Sequence, residues 1–212
     1  IKVHFVYAVK HDGRHKSRLV AGGHLTDTPI DSVYSSVVSL RGIRMLTYIA
    51  EHNGSEVWAT DIGNAYLETF TKEKVYIIAG PEFGSLEGHT LLINKAIYGL
   101  KSSGLRWSER FSDVLVDMGF FLSKAETDIW MREKDGAYEY VGVYVDDLFI
   151  VSKNPKAITD ALVDDYKFKL KGTGPVEFHL GCDFFRDEDG HLCFAPRKYV
   201  EKMLSNYERM FG

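Results

Sequence analysis

Tyr140-Val141-Gly142-Val143-Tyr144-Val145-Asp146-Asp147-Leu148-Phe149-Ile150-Val151 is a run apolar enough for a protein core, with two adjacent carboxylates in its middle. Its β-branched and aromatic residues predict two strands joined by a tight turn, with Asp-Asp supplying the turn chemistry. Two ionised carboxylates at the mouth of a low-dielectric sheet repel each other, and a divalent cation that prefers oxygen ligands relieves that repulsion. An ordinary polar hairpin tip is the bland alternative, because turns are where aspartate is commonly found.

Working outward, Asn154-Pro155 is an N-cap and first-turn pair that opens a helix running to about Tyr166. The stretch from Glu177 to Arg186 reads as a strand that turns at Asp189-Gly190 into His191 to Phe194. Asp187, Asp189 and Gly190 resemble the start of a calcium loop but lack the later ligand positions, so a plain hairpin turn is the better reading. Gly172-Thr173-Gly174 reads as a loop. Pro196 starts a last helix with an apolar stripe of Tyr199, Val200, Met203, Leu204 and Tyr207.

Upstream, Trp107, Phe111, Val114, Leu115 and Met118 give the stretch Ser103 to Gly119 one broad apolar face, with serine as cap and Gly119 as stop. Ile43, Leu46, Ile49 and Ala50 mark a second amphipathic helix between Ser39 and His52. Glu56 to Thr60 reads as a strand ending on Asp61, and Ile62 to Leu67 carries no clear pattern. Val75 to Ile78 and Thr90 to Ile93 form a further strand pair. Val3 to Val9 and Ser17 to Ala21 flank His11-Asp12-Gly13-Arg14, a hairpin signal. His11 and His15 flank that turn as solvated histidines rather than metal ligands.

Leaving the accessory hairpins aside, the order is strand, helix, strand, strand, helix, strand: the βαββαβ order of a ferredoxin-like split fold in an α+β chain. In that order the third strand returns between the first two, antiparallel to both. The end of the first strand then lies on the same sheet edge as the turn between the second and third, so Asp61 is expected to face Asp146 and Asp147. Three carboxylates bridged by two divalent ions make a site for in-line displacement at phosphorus.

Composition sets the frame. The 212 residues are 45% hydrophobic and 26% charged, which is ordinary for a globular chain long enough for one large domain or two small ones. A net charge of -4 argues against a polyanion partner taken as a whole. Locally, however, Lys2, Lys10, Arg14, Lys16 and Arg18 face only Asp12. Cys182 and Cys193 have no metal-type spacing and read as reduced, partly buried thiols. No apolar run reaches membrane-spanning length, no signal peptide is evident, and the first residue is Ile1 rather than Met, as in a piece of a longer protein.

Tyr144-Val145-Asp146-Asp147, preceded by Asp61-Ile62-Gly63-Asn64-Ala65-Tyr66-Leu67, resembles reverse transcriptases. Lys16-Ser17-Arg18-Leu19-Val20-Ala21-Gly22-Gly23, Ala96-Ile97-Tyr98-Gly99-Leu100-Lys101 with Arg106-Trp107, and Phe178-His179-Leu180-Gly181 with Lys198-Tyr199-Val200 narrow the likeness to copia-type long-terminal-repeat retrotransposons. The resemblance implies fingers at 1–54 and 67–101, a palm at 55–66 and 102–186, and the end of the primer-grip hairpin with the start of a thumb at 187–212. It implies a primer-extending RNA-directed DNA polymerase core working with Mg²⁺, or Mn²⁺ in its place, on an RNA or DNA template. Asp61, Asp146 and Asp147 look like the catalytic, metal-binding aspartates, with the Ile62 carbonyl as a further ligand.

By the same resemblance Lys16, Arg18, Tyr66, Tyr98, Gly99 and Lys101 would contact the incoming dNTP and its template, Tyr66 lying under the sugar. Leu180 and Gly181 would belong to the primer grip. Implied partners are the template-primer, dNTPs and the remainder of the Pol polyprotein with its integrase and ribonuclease H, in the cytoplasm within virus-like particles, with a nuclear phase. Gly104 stands where the family commonly has proline, and Ser102-Ser103 where Gln-Ala is more usual, which weakens the pocket assignment. Two rival readings are a nucleotidyl cyclase of palm fold and a degenerate or domesticated fragment that binds nucleic acid without catalysis.

Overall fold

A computed structural model describes residues 1–9, 13–27 and 33–212; the expected turn residues His11 and Asp12 lie outside them. The elements in chain order are β1 (Val3–Val9), β2 (His15–Ala21), α1 (Leu40–Asn53), β3 (Glu56–Ile62), β4 (Tyr76–Ile78), β5 (Thr90–Leu92) and α2 (Ser103–Asp117). There follow β6 (Phe121–Leu122), β7 (Ile129–Lys134), β8 (Ala137–Tyr144), β9 (Asp147–Ser152), α3 (Pro155–Asp164), β10 (Leu170–Pro175), β11 (Phe178–His179), β12 (Cys182–Arg186), β13 (Leu192–Ala195) and α4 (Arg197–Phe211). They form two compact units, Ile1–Ser35 with Asn64–Val114 and Ser36–Gly63 with Leu115–Gly212.

In the first unit β1 pairs with β2 and β4 with β5, both antiparallel. A small core of Ala21, Ile77, Ile93 and Leu100 ties the pairs together. The Ala21 N–H donates to the Tyr98 carbonyl at 2.8 Å. At this crossing a Cβ on Gly99 (φ 91°) would stand 2.0 Å from the Ala21 oxygen, so only glycine lets the two backbones touch. Arg106, almost fully buried, pairs with Glu73 at 3.1 Å and Glu109 at 3.0 Å, and Ser102 also donates to Glu73.

The second unit is built on a six-stranded sheet in the order β10-β3-β9-β8-β7-β6, every neighbouring pair antiparallel. Leu148, Phe149, Ile150 and Val151 on β9 are completely buried, so this strand is covered on both faces, as its unbroken apolar run requires. On one face Phe149, Val151 and Val57 pack with Ile43, Leu46 and Ala50 of α1. α1 begins at Ser39, whose hydroxyl accepts from the Gly42 N–H at 3.0 Å, and stops at Gly54 in the left-handed region. α3 starts as expected on Asn154, which caps the Ala157 N–H, and packs against β3, β9 and β10.

Two expectations from sequence are corrected. Glu177 to Arg186 is not one strand: Leu180 (φ 46°) and Gly181 (φ 82°) turn the chain between β11 and β12, and these form a separate three-stranded sheet with β13. Two consecutive positive φ angles are the signature of a tight hairpin turn, which no continuous strand tolerates. The place beside β3 is taken by β10, which contains the Gly172-Thr173-Gly174 stretch read as a loop. The buried Thr60 hydroxyl reaches Thr173 at 2.7 Å and holds the irregularity between Lys171 and Gly174. Cys182 and Cys193 are free, as expected, and occupy positions of opposite parity on paired strands, hence opposite faces.

Candidate active site

The register of β3 against β9 ends with Asp61 opposite Asp147. One step further the Ile62 N–H donates to the Asp146 carbonyl at 2.8 Å. Hydrogen-bonded and non-bonded positions alternate in an antiparallel pair, so Asp61 and Asp147 occupy the closer, non-bonded kind, with Cα atoms about 4.5 Å apart and side chains on one face. Asp146 sits in the two-residue connection from β8, next to Val145 at φ 58°. A left-handed conformation is a genuine outlier for a β-branched residue and costs of order 1–3 kcal/mol. Only Asp146 of the Asp-Asp pair is therefore in the turn; Asp147 begins β9.

All three carboxylates are partly buried. At Asp147 loss of hydration, then the charges of Asp146 and Asp61, push the pKa up to about 6. The three oxygen-donor groups thus share one sheet edge. Their chemistry fits a hard cation, for which carboxylate and carbonyl oxygens are the preferred ligands.

Among the described residues, the set of three whose ligand atoms all come within 4.8 Å of one another is a different one, Asp187, Asp189 and His191, all exposed. Asp187 there accepts from the Asp189 and His191 N–H groups at 3.1 and 2.8 Å, so its carboxylate caps the β12–β13 turn, in keeping with the hairpin reading. The oxygens of Asp61, Asp146 and Asp147 are spread more widely.

In the first unit Arg18, Tyr98 and Tyr66 come together: the guanidinium lies 5.0 Å from the centre of the Tyr98 ring, and the Tyr66 ring is 4.9 Å from it on the other count, tilted by 59°. Gly99 serves the backbone crossing with Ala21. Lys101 donates to the Thr26 carbonyl at 2.7 Å and so fastens a loop. Lys16 faces Ala8 across the β1–β2 hairpin. In the second unit Leu180 and Gly181 are the β11–β12 turn itself. The preceding His179 is buried against Phe149, ring centres 5.1 Å apart, and desolvation lowers its pKa to about 4.

One neighbour of the carboxylates was missed from sequence. Lys171 on β10 lies directly opposite Asp61, on the side away from Asp147. The alternation Phe168, Leu170 against Lys167, Lys169, Lys171 is a strand signal that the two glycines obscured.

Residues 1–210 match a family model described as reverse transcriptase (RNA-dependent DNA polymerase). The chain is 26% identical over 197 residues to the retrovirus-related Pol polyprotein from transposon RE1 of Arabidopsis thaliana, covering 91% of this chain and 13% of that protein. It is 27% identical over 220 residues to the Pol polyprotein from transposon TNT 1-94 of Nicotiana tabacum, covering 98% and 16%. It is 30% identical over 207 residues to the transposon Ty1-MR1 Gag-Pol polyprotein of Saccharomyces cerevisiae, covering 95% and 11%. The chain therefore spans between 11% and 16% of the length of these relatives.

Proposed function

This chain belongs to the reverse transcriptase (RNA-dependent DNA polymerase) family, and on that premise we propose that it is the primer-extending core of a copia-type Pol polyprotein, with Asp61, Asp146 and Asp147 as its catalytic carboxylates. The observation that carries the proposal is the register that sets Asp61 opposite Asp147 beside the Asp146 turn. The order β10-β3-β9-β8 supports reading the centre of the second unit as a ferredoxin-like palm, extended by β7 and β6. By role, we assign 1–54 and 67–101 to fingers, 55–66 and 102–186 to palm, and 187–212 to the primer-grip end and thumb start. Compactness divides the chain elsewhere, α1 falling in the second unit.

Asp61, Asp146, Asp147 and the Ile62 carbonyl would hold Mg²⁺, or Mn²⁺. Bound there, the metal supplies Lewis-acid activation of the primer 3′-hydroxyl and charge neutralisation at the triphosphate. The protein's own share is to orient these oxygens at a rigid sheet edge, since β9 is buried on both faces and cannot shift without disturbing the core. Arg18 and Lys16 contribute fixed positive charge to the triphosphate, as charge-assisted donors. Tyr66, braced by Tyr98, is the aromatic ring that excludes a 2′-hydroxyl, and Gly99 and Lys101 shape the pocket wall around it. Leu180 and Gly181 hold the primer end.

The relatives are retrotransposon polyproteins, which supports a polyprotein context with an integrase and ribonuclease H, a location in cytoplasmic virus-like particles with a nuclear phase, and an RNA or DNA template-primer with dNTPs as substrates. Among the described residues no helix is long and apolar enough to cross a membrane. The test is primer extension by the purified chain with Mg²⁺ or Mn²⁺. Asp146→Asn should lower incorporation by a thousandfold or more while the fold, followed by circular dichroism, is kept; incorporation at the parental rate would end the proposal.

A further inference from the structure

The ribbon of β4 and β5 in the first unit turns one face inward and leaves the other bare. Ile77 and Ile93 sit in the small core with Ala21 and Leu100, and Val75 and Leu91 pack beside them. Successive residues of a strand point to opposite faces, so Tyr76, Ile78, Thr90 and Leu92 share the outer one. The solvated face of an antiparallel pair is ordinarily polar. Here Tyr76 is 50% exposed, Ile78 61% and Leu92 45%, three large apolar side chains in one patch. A contiguous patch of that kind marks a surface of contact with another molecule.

The two ends of the patch carry opposite charge. Lys74, two residues before Tyr76, lies in the same outer row, because the ladder continues through the Ile93 N–H bond to the Val75 carbonyl at 2.9 Å. At the other end the buried Ala79 donates its N–H to the His89 carbonyl at 2.9 Å, so the next residue, Gly80, falls in the outer row. The Glu82 carboxylate folds over that glycine: a Cβ on Gly80 would stand 2.9 Å from the Glu82 Cδ. The row therefore reads cation, Tyr76, Ile78, anion over about 20 Å, at roughly 3.3 Å per residue. Lys72 is paired with Glu109 and Glu73 with Arg106, but the exposed Lys74 and Glu82 form no ion pair with any described residue.

Such a row is complementary to itself when reversed. A two-fold axis running across the ribbon at Ile77 lays a second copy face to face on the first, with the strands in opposite directions. Lys74 of each copy then meets Glu82 of the other, Tyr76 meets Ile78, and Leu92 meets Thr90. We propose that the outer face of β4 and β5 is the contact surface of a homodimer, apolar at its centre and closed by two Lys74–Glu82 ion pairs at its rim. A partner of uniform charge would satisfy only one end of the row, and a purely apolar one neither. The patch is small for a protein interface, so the dimer is a weak one, half-formed at roughly 10–100 µM. Every contact occurs twice across the axis, so each substitution in the face acts twice.

The experiment is sedimentation velocity of the purified chain over a range of concentrations, with the fold of each variant checked by circular dichroism. The parent should pass from monomer to dimer as concentration rises, and should do so less readily at high salt. Lys74→Glu and Glu82→Lys should each weaken dimerisation by tenfold or more, because each sets like charges together at both ends of the face. Mixed in equal amounts, the two variants should recover a dimer of near parental strength, since each supplies the charge that the other has lost. Ile78→Lys should abolish association, whereas Leu204→Lys, on the exposed apolar stripe of α4, should leave it unchanged. A parent that stays monomeric throughout the range would overturn the inference. So would a dimer that the mixture of charge variants fails to restore, or one that Leu204→Lys dissolves and Ile78→Lys does not.

Discussion

Replacing Asp147 by asparagine should make the metal-free protein more stable while removing its activity. In the folded chain the Asp147 pKa stands at about 6 against an ordinary 3.8, because of burial and then the charges of Asp146 and Asp61. Between those values the folded state binds more protons than the unfolded one, so stability falls as pH rises through that window. Moving the pKa from 3.8 to about 6 corresponds to at most about 3 kcal/mol, reduced by solvent screening at this partly exposed carboxyl and lost above pH 6. Asparagine keeps the shape and never ionises, so it should recover up to about 3 kcal/mol at pH 7.5, a rise in melting temperature of roughly 6–12 °C for a domain of this size. The assay is urea and thermal unfolding in a chelator at pH 7.5 and at pH 3.5. The gain should be present at the first pH and absent at the second, where the parent carboxyl is itself protonated. Added Mg²⁺ should stabilise the parent and not the variant. An equal gain at both pH values, or none at pH 7.5, would refute the reasoning, since a gain independent of protonation cannot come from like-charge repulsion.

Other consequences are as direct. Tyr66→Val should admit ribonucleotides, raising rNTP incorporation relative to dNTP by at least tenfold in a single-nucleotide extension assay; unchanged sugar selection would mean that the ring only packs on Tyr98. Val145→Gly removes a left-handed φ of 58° from a β-branched residue and should raise the melting temperature by a few degrees, as strain of order 1–3 kcal/mol outweighs the about 0.5–1 kcal/mol entropic cost of glycine. Glu139→Ala takes from the half-buried Arg132 the carboxylate 2.6 Å from its Nε, leaving it the Met118 carbonyl, and removes the acceptor of the buried Ser152 hydroxyl, also at 2.6 Å. Chemical denaturation should show a loss of about 1–3 kcal/mol, the cost of leaving a buried polar group without its partner.

The local choices in this chain were readable from one sequence because each is made by neighbouring residues. Ser39, Gly54 and Asn154 act on backbone groups within a few positions of themselves, and the helices begin and end where those residues say. The apolar run around Asp146-Asp147 is a strand pair because nothing else buries Val141 and Leu148 to Val151 at once. The neighbourhood of Asp61 with Asp147 also followed, since the order of elements leaves the returning strand one place to go.

What the sequence left open is what depends on pairing at a distance. Whether β10 or the stretch after Glu177 lies beside β3 was decided by a register that includes an irregularity and a Thr60–Thr173 contact 113 residues apart, and neither leaves a periodic trace in a strand of lysines and glycines. The same holds for Lys101, tied to Thr26 across 75 residues, and for Lys171, which became a neighbour of the carboxylates only through that register. Hydrophobic period records which face of an element is buried; it does not record which edge meets which, and an edge strand that buries little apolar surface is chosen by hydrogen bonds that form only once the rest of the sheet is in place.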